Sequence, residues 1–562
     1  MRAAAVAARH LRALGCAVEQ DGARLTARLT ARPPGGPPAG PPAVRPVVHC
    51  EIGWAGPVGL PLADEAGVQA ACGLMHVHGR RHGGPVPLGL DYASVAAGVL
   101  AAQGVLAALI AQLRGSPARH VGTSVAEAAL LTVGQYLAAA TTGEEAGPLL
   151  PGGPPFVSAD GVRFEIETLA AEDWLGFWSL LGAPRAAVSQ GWRPFESRYA
   201  TATCPLPPPL HEATARLGYP VVAEYAARAG VSVMPVSDTP DLAMSSGRPP
   251  WSISPVPGAA ATSRTATPQA AAPWAAALWT VAPPPAAPWA PAPGLTGLPL
   301  AGLVAVESTS RIQGPLAGRV LAMLGARVIR IEPPGGDPMR GILPVDGDCS
   351  ARFRALNRGK EAVEIDIKSP AGRQRLLRLV ADADVFVHNW PPGRAARLRL
   401  DAGQLLEASP RLVYAWASGW GDTLGPTPPL GTDFMVQAYS GLGAVLRPPG
   451  QAPTPSLMTL TDVLGGLICA QGTLAALLAA GLTGAGQRVH SSLLSAATVL
   501  LDEALLAEAC GPQGAISQIA VPAATSVPVC TDLAALGADP RFAAALCADG
   551  AVYPRAPWRF AA

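Results

Sequence analysis

The residue best suited to covalent chemistry is Asp462, which lies in the stretch Thr459–Gly472 (TLTDVLGGLICAQG). It is a lone carboxylate at the start of an uncharged helical pattern that runs to about Leu482. Aspartate is a preferred N-cap residue, and helix N-termini favour negative charge. We therefore expect Asp462 to cap the helix and to be ionised and accessible, as a carboxylate nucleophile must be. A plain capping role is the alternative, and the stretch alone favours it.

Other reactive side chains give weaker signals. No cluster of acidic or cysteine ligands lies near His76, His78 and His82 in the sequence, so we interpret them as part of a Gly-Arg-rich loop and predict no metal site. The nine cysteines form no CxxC pair, which argues against a disulfide framework and for a reducing compartment. Arginines interrupt every apolar run near the N-terminus, so we expect a cytoplasmic protein without a secretory signal.

The overall composition limits the classes of binding partner. A net charge of +1 with 14% charged residues gives no electrostatic footprint for nucleic acid or an acidic membrane. Ala93–Leu113 and Val463–Leu482 are long enough to cross a bilayer. Each is rich in alanine and carries a central Gln-Gly pair, so we predict two buried core helices and no membrane partner.

The chain contains an internal duplication. An offset of 368 residues lays Ala102–Leu109 on Ala470–Leu477 without a gap. An offset of 310 residues gives a shorter match that starts with Arg9 on Arg319. The two offsets differ by 58 residues, which is the length that the first copy lacks between these landmarks.

At 562 residues the chain is too long for a single core, and composition suggests its divisions. We predict a truncated, degenerate copy in residues 1–150 and a small domain with the tail of that copy in 151–254. An Ala/Pro-rich linker follows in 255–293, and 294–562 form a large domain with a C-terminal tail. A second proline-rich break, 32–43, lies where the first copy is truncated. The first half can thus supply one small domain for the whole chain.

The second copy alternates strand and helix signals. This pattern predicts an α/β fold with a doubly wound, mostly parallel, Rossmann-like sheet that binds ligands at its strand C-terminal ends. No G-x-G-x-x-G or Walker A pattern opens any helix, so an ordinary dinucleotide or P-loop site is not supported. A hairpin over Phe156–Glu165 and a helix from Glu172 indicate a small α+β domain. The predicted elements of the second copy are Leu303–Glu307, Pro315–Leu324, Arg327–Ile331, Ala362–Ile367, Ser369–Val380, Val385–His388 and Arg411–Ala417.

The second half resembles the family III CoA-transferases, the CaiB/BaiF or formyl-CoA transferase-like group. The matches, in order, are Ser310–Pro315, Leu324–Asp337, Asn357–Lys360, Val363–Pro370, Ala381–Gly393, Pro410–Tyr414 and Gly484–Gln487. The resemblance implies a CaiB/BaiF-type fold and the transfer of coenzyme A from an acyl-CoA thioester to a carboxylic acid. It implies acyl-CoA as a substrate rather than a permanently bound cofactor. Because members of the family are interlocked dimers, we expect an intramolecular pseudo-dimer or a homodimer.

The resemblance also assigns roles to single residues. It makes Asp462 the aspartate that forms the covalent acyl and CoA intermediates. It implies that Lys368 and Arg397 neutralise phosphates and that Trp390 or Trp420 stacks on adenine. Without it we would read Lys368 and Arg397 as solvated surface charges. The implied CoA contacts are Gln313, Ile365, Lys368, Asn389, Trp390, Pro391, Arg397, Ser418, Gly419 and Trp420.

Several positions depart from the family pattern. The Ser310–Pro315 segment is one residue shorter than usual, and Gly152-Gly153 is the candidate for the loop that covers the aspartate in some members. In the first copy Ser94 aligns with Asp462, and Asp91 lies three residues earlier. The absent 58 residues would hold the counterparts of three CoA contacts, so we expect the first copy to be a degenerate partner.

Two alternative functions remain. The racemase branch of the family uses a Gly-His-Asp motif, which here reads Gly431-Thr432-Asp433. Threonine cannot exchange a proton near neutral pH, so racemisation of a 2-methylacyl-CoA is disfavoured. A non-catalytic pseudo-transferase that binds acyl-CoA is the other alternative, because the first copy is eroded.

Overall fold

A computed structural model of the chain describes residues 1–29, 46–143, 152–240, 247–256, 297–447, 450–509 and 527–562. The proline-rich break at 32–43 and all but the first two residues of the predicted linker 255–293 lie outside these ranges. The statements below concern the described residues.

The second half is built on a seven-stranded sheet, called here the C-terminal sheet. Its first six strands are parallel and the seventh is an antiparallel edge strand. Every predicted element of the second copy occurs, with ends that differ by up to three residues. In spatial order the strands are Glu361–Glu364, Arg327–Glu332, Val304–Ser308, Val385–His388, Val413–Ser418, Gln487–Ser492 and Trp251–Pro255. The helices are Gln313–Met323, Ala351–Asn357, Pro370–Ala381, Arg394–Leu398, Ala402–Ala408, Asp433–Ser440, Leu442–Leu446, Leu460–Thr483 and Leu493–Ala509.

The first half has a smaller, five-stranded sheet, the N-terminal sheet. The interval in which the first copy is shorter holds, in the second copy, the strands Glu361–Glu364 and Val385–His388. Its strands are Cys16–Asp21, Arg24–Leu29, Val47–Gly53, His120–Ser124 and Arg559–Ala561. The helices of this half are Arg2–Ala13, Glu65–Ala71, Leu74–Gly79, Tyr92–Leu113, Val125–Thr132 and Gly134–Ala140.

Each half of the chain completes the sheet of the other half. Trp251–Pro255 follows the small domain of the first half, yet it pairs with Gln487–Ser492 of the second. Arg559–Ala561 belongs to the second half and pairs with His120–Ser124 of the first. Next to this strand the indole N–H of Trp558 donates a hydrogen bond of 2.7 Å to the carbonyl of Leu100. The halves are therefore interlocked.

Two long apolar helices form the centre of the molecule. The hydroxyl of Tyr92, in the helix Tyr92–Leu113, donates to the carbonyl of Leu460 at 2.9 Å. These two residues are 368 positions apart, so the helices meet at equivalent positions of the two copies. Both helices are long and apolar enough to cross a membrane, and both apolar stretches are completely buried here. The prediction that they are core helices is confirmed.

The small domain lies over the second half. Its three antiparallel strands are Phe156–Val157, Arg163–Glu167 and Ser232–Pro235, and its helices are Ala171–Leu180, Arg185–Thr201, Pro208–Ala215 and Tyr219–Ala229. The backbone N–H of Ser237 donates to the carbonyl of Ala438, and the N–H of Leu430 donates to the hydroxyl of Ser232. The first half thus covers the beginning of the helix that carries Asp462.

A C-terminal segment, which is shorter than the small domain, lies over the first half. It consists of the helix Leu533–Ala538 and the hairpin Leu546–Asp549 and Ala551–Pro554. The N–H of Cys530 donates to the carbonyl of Ala70 at 2.9 Å, which fixes this segment against the first copy.

Replacing Trp558 by alanine tests the exchange of edge strands. The side chain is 6% exposed and its N–H is hydrogen-bonded, so its loss leaves a cavity between the halves. We expect Trp558→Ala to lower the free energy of unfolding by about 3–5 kcal/mol in chemical denaturation. Leu506→Ala, a change at a 50% exposed leucine, is the control and should alter it by less than about 0.5 kcal/mol. Equal effects of the two substitutions would contradict the interlocked arrangement.

Candidate active site

Asp462 lies in the first turn of the helix Leu460–Thr483, whose N-cap residue is Thr459. The prediction that Asp462 itself caps the helix is wrong, because the helix begins two residues earlier. A Cβ atom on Gly466 would lie 2.6 Å from the carbonyl oxygen of Gln313, and one on Gly465 would lie 3.1 Å from its side-chain nitrogen. The two glycines therefore let Gln313 approach the helix one turn beyond Asp462.

A buried carboxylate, Asp433, fixes this first turn. Its Oδ2 accepts the backbone N–H of Asp462 at 2.7 Å and the hydroxyl of Thr461 at 2.8 Å. Its Oδ1 accepts a hydrogen bond from the amide of Gln437, and only 2% of Asp433 is exposed. The carboxylate holds the backbone of Asp462 and leaves the side chain of Asp462 free for chemistry.

The pKa values of both carboxyl groups are raised, and the charge of Asp433 contributes to the shift of Asp462. Burial raises the pKa of Asp462 well above its ordinary value, and the neighbouring charge of Asp433 raises it further, while Arg311 opposes the shift. Burial also raises the pKa of Asp433, to about 6, against the hydrogen bonds that it accepts. The expectation that Asp462 is ionised stays a prediction, and burial shifts its pKa against it. Asp462 takes up a proton at a higher pH than an exposed aspartate does.

Asp462 lines a cleft of about 110 Å³ that both halves of the chain enclose. Its side chain is half-buried rather than sealed. The small domain contributes Glu167, Thr168, Leu169, Glu196, Arg198 and Tyr199, and the second half contributes Arg311, Thr432, Asp433, Phe434 and Asp462.

Two charged groups of the cleft, Glu167 and Arg198, form an ion pair. The guanidinium of Arg198 lies 3.6 Å from the ring centre of Phe195 and 4.7 Å from that of Phe434, and it forms an ion pair of 3.2 Å with Glu167. The hydroxyl of Thr432 donates to the same carboxylate at 2.7 Å. Thr432, at the motif position where the racemase branch has histidine, is thus occupied in holding the small domain.

Several predicted CoA contacts meet at the C-terminal edge of the C-terminal sheet. The amide of Gln313 donates to the carbonyl of Ser418 at 3.3 Å. Asn389 bonds both the N–H and the carbonyl of Ser310, at 3.0 and 2.8 Å. Gly419 is half-buried, and its backbone lies so close to Gly431 that a Cβ atom would be 2.5 Å away.

The remaining predicted contacts differ in exposure. Lys368, Pro391 and Arg397 are exposed, whereas Ile365 is buried in the core under the sheet. The two tryptophans are 5% exposed (Trp390) and 3% exposed (Trp420). The indole N–H of Trp420 donates to the carbonyl of Pro429 at 2.8 Å. Neither ring presents an open face, and the role of these residues stays a prediction.

The predicted covering loop packs against the small domain. Gly152 and Gly153 have φ angles of 141° and 88°, a region that favours glycine. Gly153 approaches Cys204 so closely that a Cβ atom would lie 2.7 Å from its carbonyl oxygen. The residues that line the cleft do not include either glycine. A covering role for this pair stays a prediction.

The first copy has a similar hydrogen-bond network but a serine in place of Asp462. Ser94 and Glu65 stand 368 residues before Asp462 and Asp433. The N–H and hydroxyl of Ser94 donate to Oε2 of Glu65 at 2.9 and 2.7 Å, and the amide of Gln69 donates to Oε1 at 3.0 Å. Ser94 is 1% exposed. Asp91 faces Arg2 in an ion pair of 3.0 Å.

The contacts of the histidines noted in the sequence are those of structural residues. His76 and His78 are buried, and Nδ1 of His78 lies 2.8 Å from the hydroxyl of Ser456. Within the described ranges, no group of three or more His, Cys, Asp or Glu side chains is placed to hold a metal ion.

Sequence reasoning missed the part of the site that the small domain contributes. Glu167, Arg198 and Tyr199 reach Asp462 only through the interlocking of the halves, which no local pattern reports. Arg311 lies within the matched segment Ser310–Pro315. Its left-handed backbone, with a φ of 64°, cannot be predicted from the fact that the residue is an arginine.

Asp433→Asn tests the electrostatic coupling of the two carboxyl groups. Removing the neighbouring negative charge should lower the pKa of Asp462, because the main charge that raises it is gone. The measurement is the titration of the Asp462 carboxyl carbon by NMR in protein labelled at aspartate. Glu196→Gln, at an exposed position of the same cleft, is the matched control and should shift that titration less. An unchanged titration of Asp462 in Asp433→Asn would contradict the coupling.

Comparison with known proteins agrees with this geometry. Acetyl-CoA:oxalate CoA-transferase of Acetobacter aceti is 37% identical over 211 residues, which cover 37% of this chain and 54% of that protein. Succinate–glutarate CoA-transferase of Agrobacterium fabrum is 34% identical over 212 residues, 36% of this chain and 53% of that protein. The chain thus spans about half the length of the curated relatives that it matches.

Solved structures give matches of similar extent. The crystal structure of Rv3272 from M. tuberculosis is 32% identical with a TM-score of 0.35, and covers 38% of this chain and 60% of that chain. A CaiB/BaiF family protein from Brucella suis is 32% identical with a TM-score of 0.35, over 38% of this chain and 58% of that chain. The profile of CoA-transferase family III matches residues 47–293 and again 300–543, so both copies and most of the chain are included. The chain belongs to CoA-transferase family III.

Proposed function

We propose that the protein transfers coenzyme A from an acyl-CoA thioester to a carboxylic acid, with Asp462 as the nucleophile. The observation that carries the proposal is the half-buried side chain of Asp462, which faces a cleft while Asp433 holds its backbone N–H. Relatives in the family are named for the transfer of coenzyme A to oxalate and between succinate and glutarate.

The reaction proceeds through covalent intermediates on one carboxylate. An oxygen of ionised Asp462 attacks the donor thioester carbonyl, and the C–S bond breaks to give an aspartyl-acyl anhydride and the CoA thiolate. The thiolate attacks the carbonyl of Asp462, which releases the donor acid as a carboxylate and leaves an aspartyl-CoA thioester. The acceptor carboxylate attacks this thioester and expels the thiolate again. Attack of the thiolate on the acceptor carbonyl forms the new acyl-CoA and restores Asp462.

The neighbours of Asp462 support these steps. Asp433 keeps the first turn of the helix in place, so the nucleophile meets the thioester in one orientation. The charge of Arg311 favours the ionised form of Asp462. The enclosure of the cleft by the small domain restricts water, which would otherwise hydrolyse the anhydride.

Coenzyme A binding at the strand ends belongs to the same proposal. Lys368 and Arg397 are exposed cations suited to phosphate groups, and Asn389 lies at the end of a central strand. A doubly wound, Rossmann-like sheet is supported by the order of the six parallel strands, which is 3-2-1-4-5-6 when they are numbered along the second copy. No permanently bound cofactor is needed for this chemistry.

The organisation of the chain is also part of the proposal. The exchanged edge strands support an intramolecular pseudo-dimer with one working site, and a homodimer is the alternative. We also propose the predicted division of the chain, with boundaries at 1–150, 151–254, 255–293 and 294–562. One point changes: the strand Trp251–Pro255, at the end of the small-domain segment, completes the C-terminal sheet. Free cysteines throughout the described ranges support a cytoplasmic location.

Asp462→Asn tests the nucleophile. The amide has nearly the shape of the carboxylate but cannot form the anhydride, so we expect the rate of CoA transfer to fall by about 10³-fold or more. The assay follows CoA exchange between acyl-CoA donors and a panel of acids. The matched control is Asp91→Asn, which removes a carboxylate three residues before Ser94 in the first copy and should retain activity.

The same assay separates the enzyme from a non-catalytic binder. Hydroxylamine intercepts acyl-aspartyl anhydrides and thioesters, so it should inactivate the wild-type protein only when acyl-CoA is present. If the protein binds acyl-CoA but shows neither turnover nor inactivation by hydroxylamine, the proposed transferase activity is refuted and a non-catalytic pseudo-transferase is favoured.

The pH dependence of transfer provides a further test. Only the ionised form of Asp462 attacks, and its pKa is raised, so activity is present above the raised pKa and is lost as the pH falls through it. We expect the acid limb of kcat/KM to lie above the range of an exposed aspartate, about 3.9. An acid limb at or below that value would contradict the burial and charge coupling of the site.

A further inference from the structure

The cleft contains one arginine that forms no ion pair with the described residues. Of its two arginines, Arg198 is held by Glu167 and by two aromatic rings. Arg311 has no carboxylate within ion-pair distance among the described residues, and its guanidinium lies 5.4 Å from the ring centre of Tyr199. Its side chain is half-buried, so the charge is neither lost in solvent nor neutralised.

The backbone of Arg311 is strained. Its φ of 64° lies in the left-handed region, which is unfavourable for a residue with a side chain. Such strain persists only where the surrounding structure enforces it, and it collects at functional sites. Here it places a cation beside the nucleophile, and the charge lowers the pKa of Asp462 against burial.

The negative groups of the cleft do not compete for Arg311. Glu167 is engaged by Arg198 and by the hydroxyl of Thr432. Asp433 accepts hydrogen bonds from the first turn of the Asp462 helix. Glu196 is exposed to solvent.

The cleft is also lined mainly by polar side chains. Its volume is about 110 Å³. Nine of its eleven lining residues are polar, and only Leu169 and Phe434 are apolar. This lining offers few apolar walls to a long aliphatic or aromatic acyl group.

We propose, on the basis of the CoA transfer proposed above, that Arg311 binds the distal carboxylate of a short dicarboxylic acid whose other carboxylate reacts at Asp462. The planar guanidinium forms two parallel hydrogen bonds to a carboxylate, and such pairs are strong when partly desolvated. A monocarboxylate of the same length leaves this arginine without a partner. The protein therefore selects its acceptor by the second charge.

The test compares acceptors of matched length with acetyl-CoA as the donor. Succinate and butyrate differ only in the distal group, and octanoate tests the polar lining of the cleft. We expect kcat/KM for succinate to exceed that for butyrate by about 100-fold or more, with octanoate not accepted. In Arg311→Met this ratio should fall by about tenfold or more, mainly through a higher KM for succinate.

The ratio of kcat/KM for succinate to kcat/KM for butyrate cancels the effect that the charge of Arg311 has on Asp462 with either acid. That effect lowers kcat for both acids alike, whereas binding of the distal carboxylate affects succinate alone. Arg311→Lys keeps the charge without the planar fork and should give an intermediate ratio. Arg216→Met, at an exposed arginine of the small domain, is the control and should leave the ratio unchanged. Thermal unfolding of each variant reports whether it folds.

The outcomes distinguish this inference from the proposed function. Equal use of succinate and butyrate, or an unchanged ratio in folded Arg311→Met, would overturn the role of Arg311 and leave CoA transfer in place. Absence of transfer to every acid, together with insensitivity to hydroxylamine, would overturn both.

Discussion

The site depends on a hydrogen bond between a buried carboxylate and the backbone of the residue beside it. Asp433 accepts the N–H of Asp462 and the hydroxyl of Thr461, so the first turn of the central helix is fixed without using the side chain of Asp462. A second carboxyl group so close to Asp462 has an electrostatic cost, since its charge raises the pKa of Asp462. Arg311 offsets part of this cost.

The interlocking of the two copies makes this arrangement possible. The cleft needs walls from the small domain of the first half, while the nucleophile and its helix come from the second. The first copy retains an equivalent network, with Glu65 and Gln69 around the first turn of its own central helix. Ser94 stands at the position of the Asp462 carboxylate. The two copies thus share a scaffold, and the chemistry proposed above belongs to the second copy.

Local patterns predicted much of the fold. The alternation of strands and helices in the second copy, the two buried central helices and the hairpin at Phe156 follow from periodicity, and all three occur. The duplication was visible because the central helices kept Gln-Gly at the same offset. The exchange of edge strands was not predictable from either strand alone, because Trp251–Pro255 has the same local pattern whichever sheet it joins.

The site was predicted less completely for physical reasons. Asp462 was recognisable as a lone carboxylate in an apolar stretch, but its raised pKa depends on Asp433, which lies 29 residues earlier in the chain. The helix start was misplaced by the preference of aspartate for N-caps, whereas Thr459 occupies that position. The role proposed for Arg311 depends on its left-handed backbone and on the lack of an ion pair among the described residues, and the residue type alone predicts neither.

The most direct test of the account is to locate the covalent intermediate. Wild-type protein mixed with acetyl-CoA is quenched in acid within the first turnover, digested and analysed by mass spectrometry. The account predicts one acyl or CoA adduct per chain, on the peptide that contains Asp462, and none on the peptide that contains Ser94. An adduct on another residue, or turnover without any adduct, would contradict it.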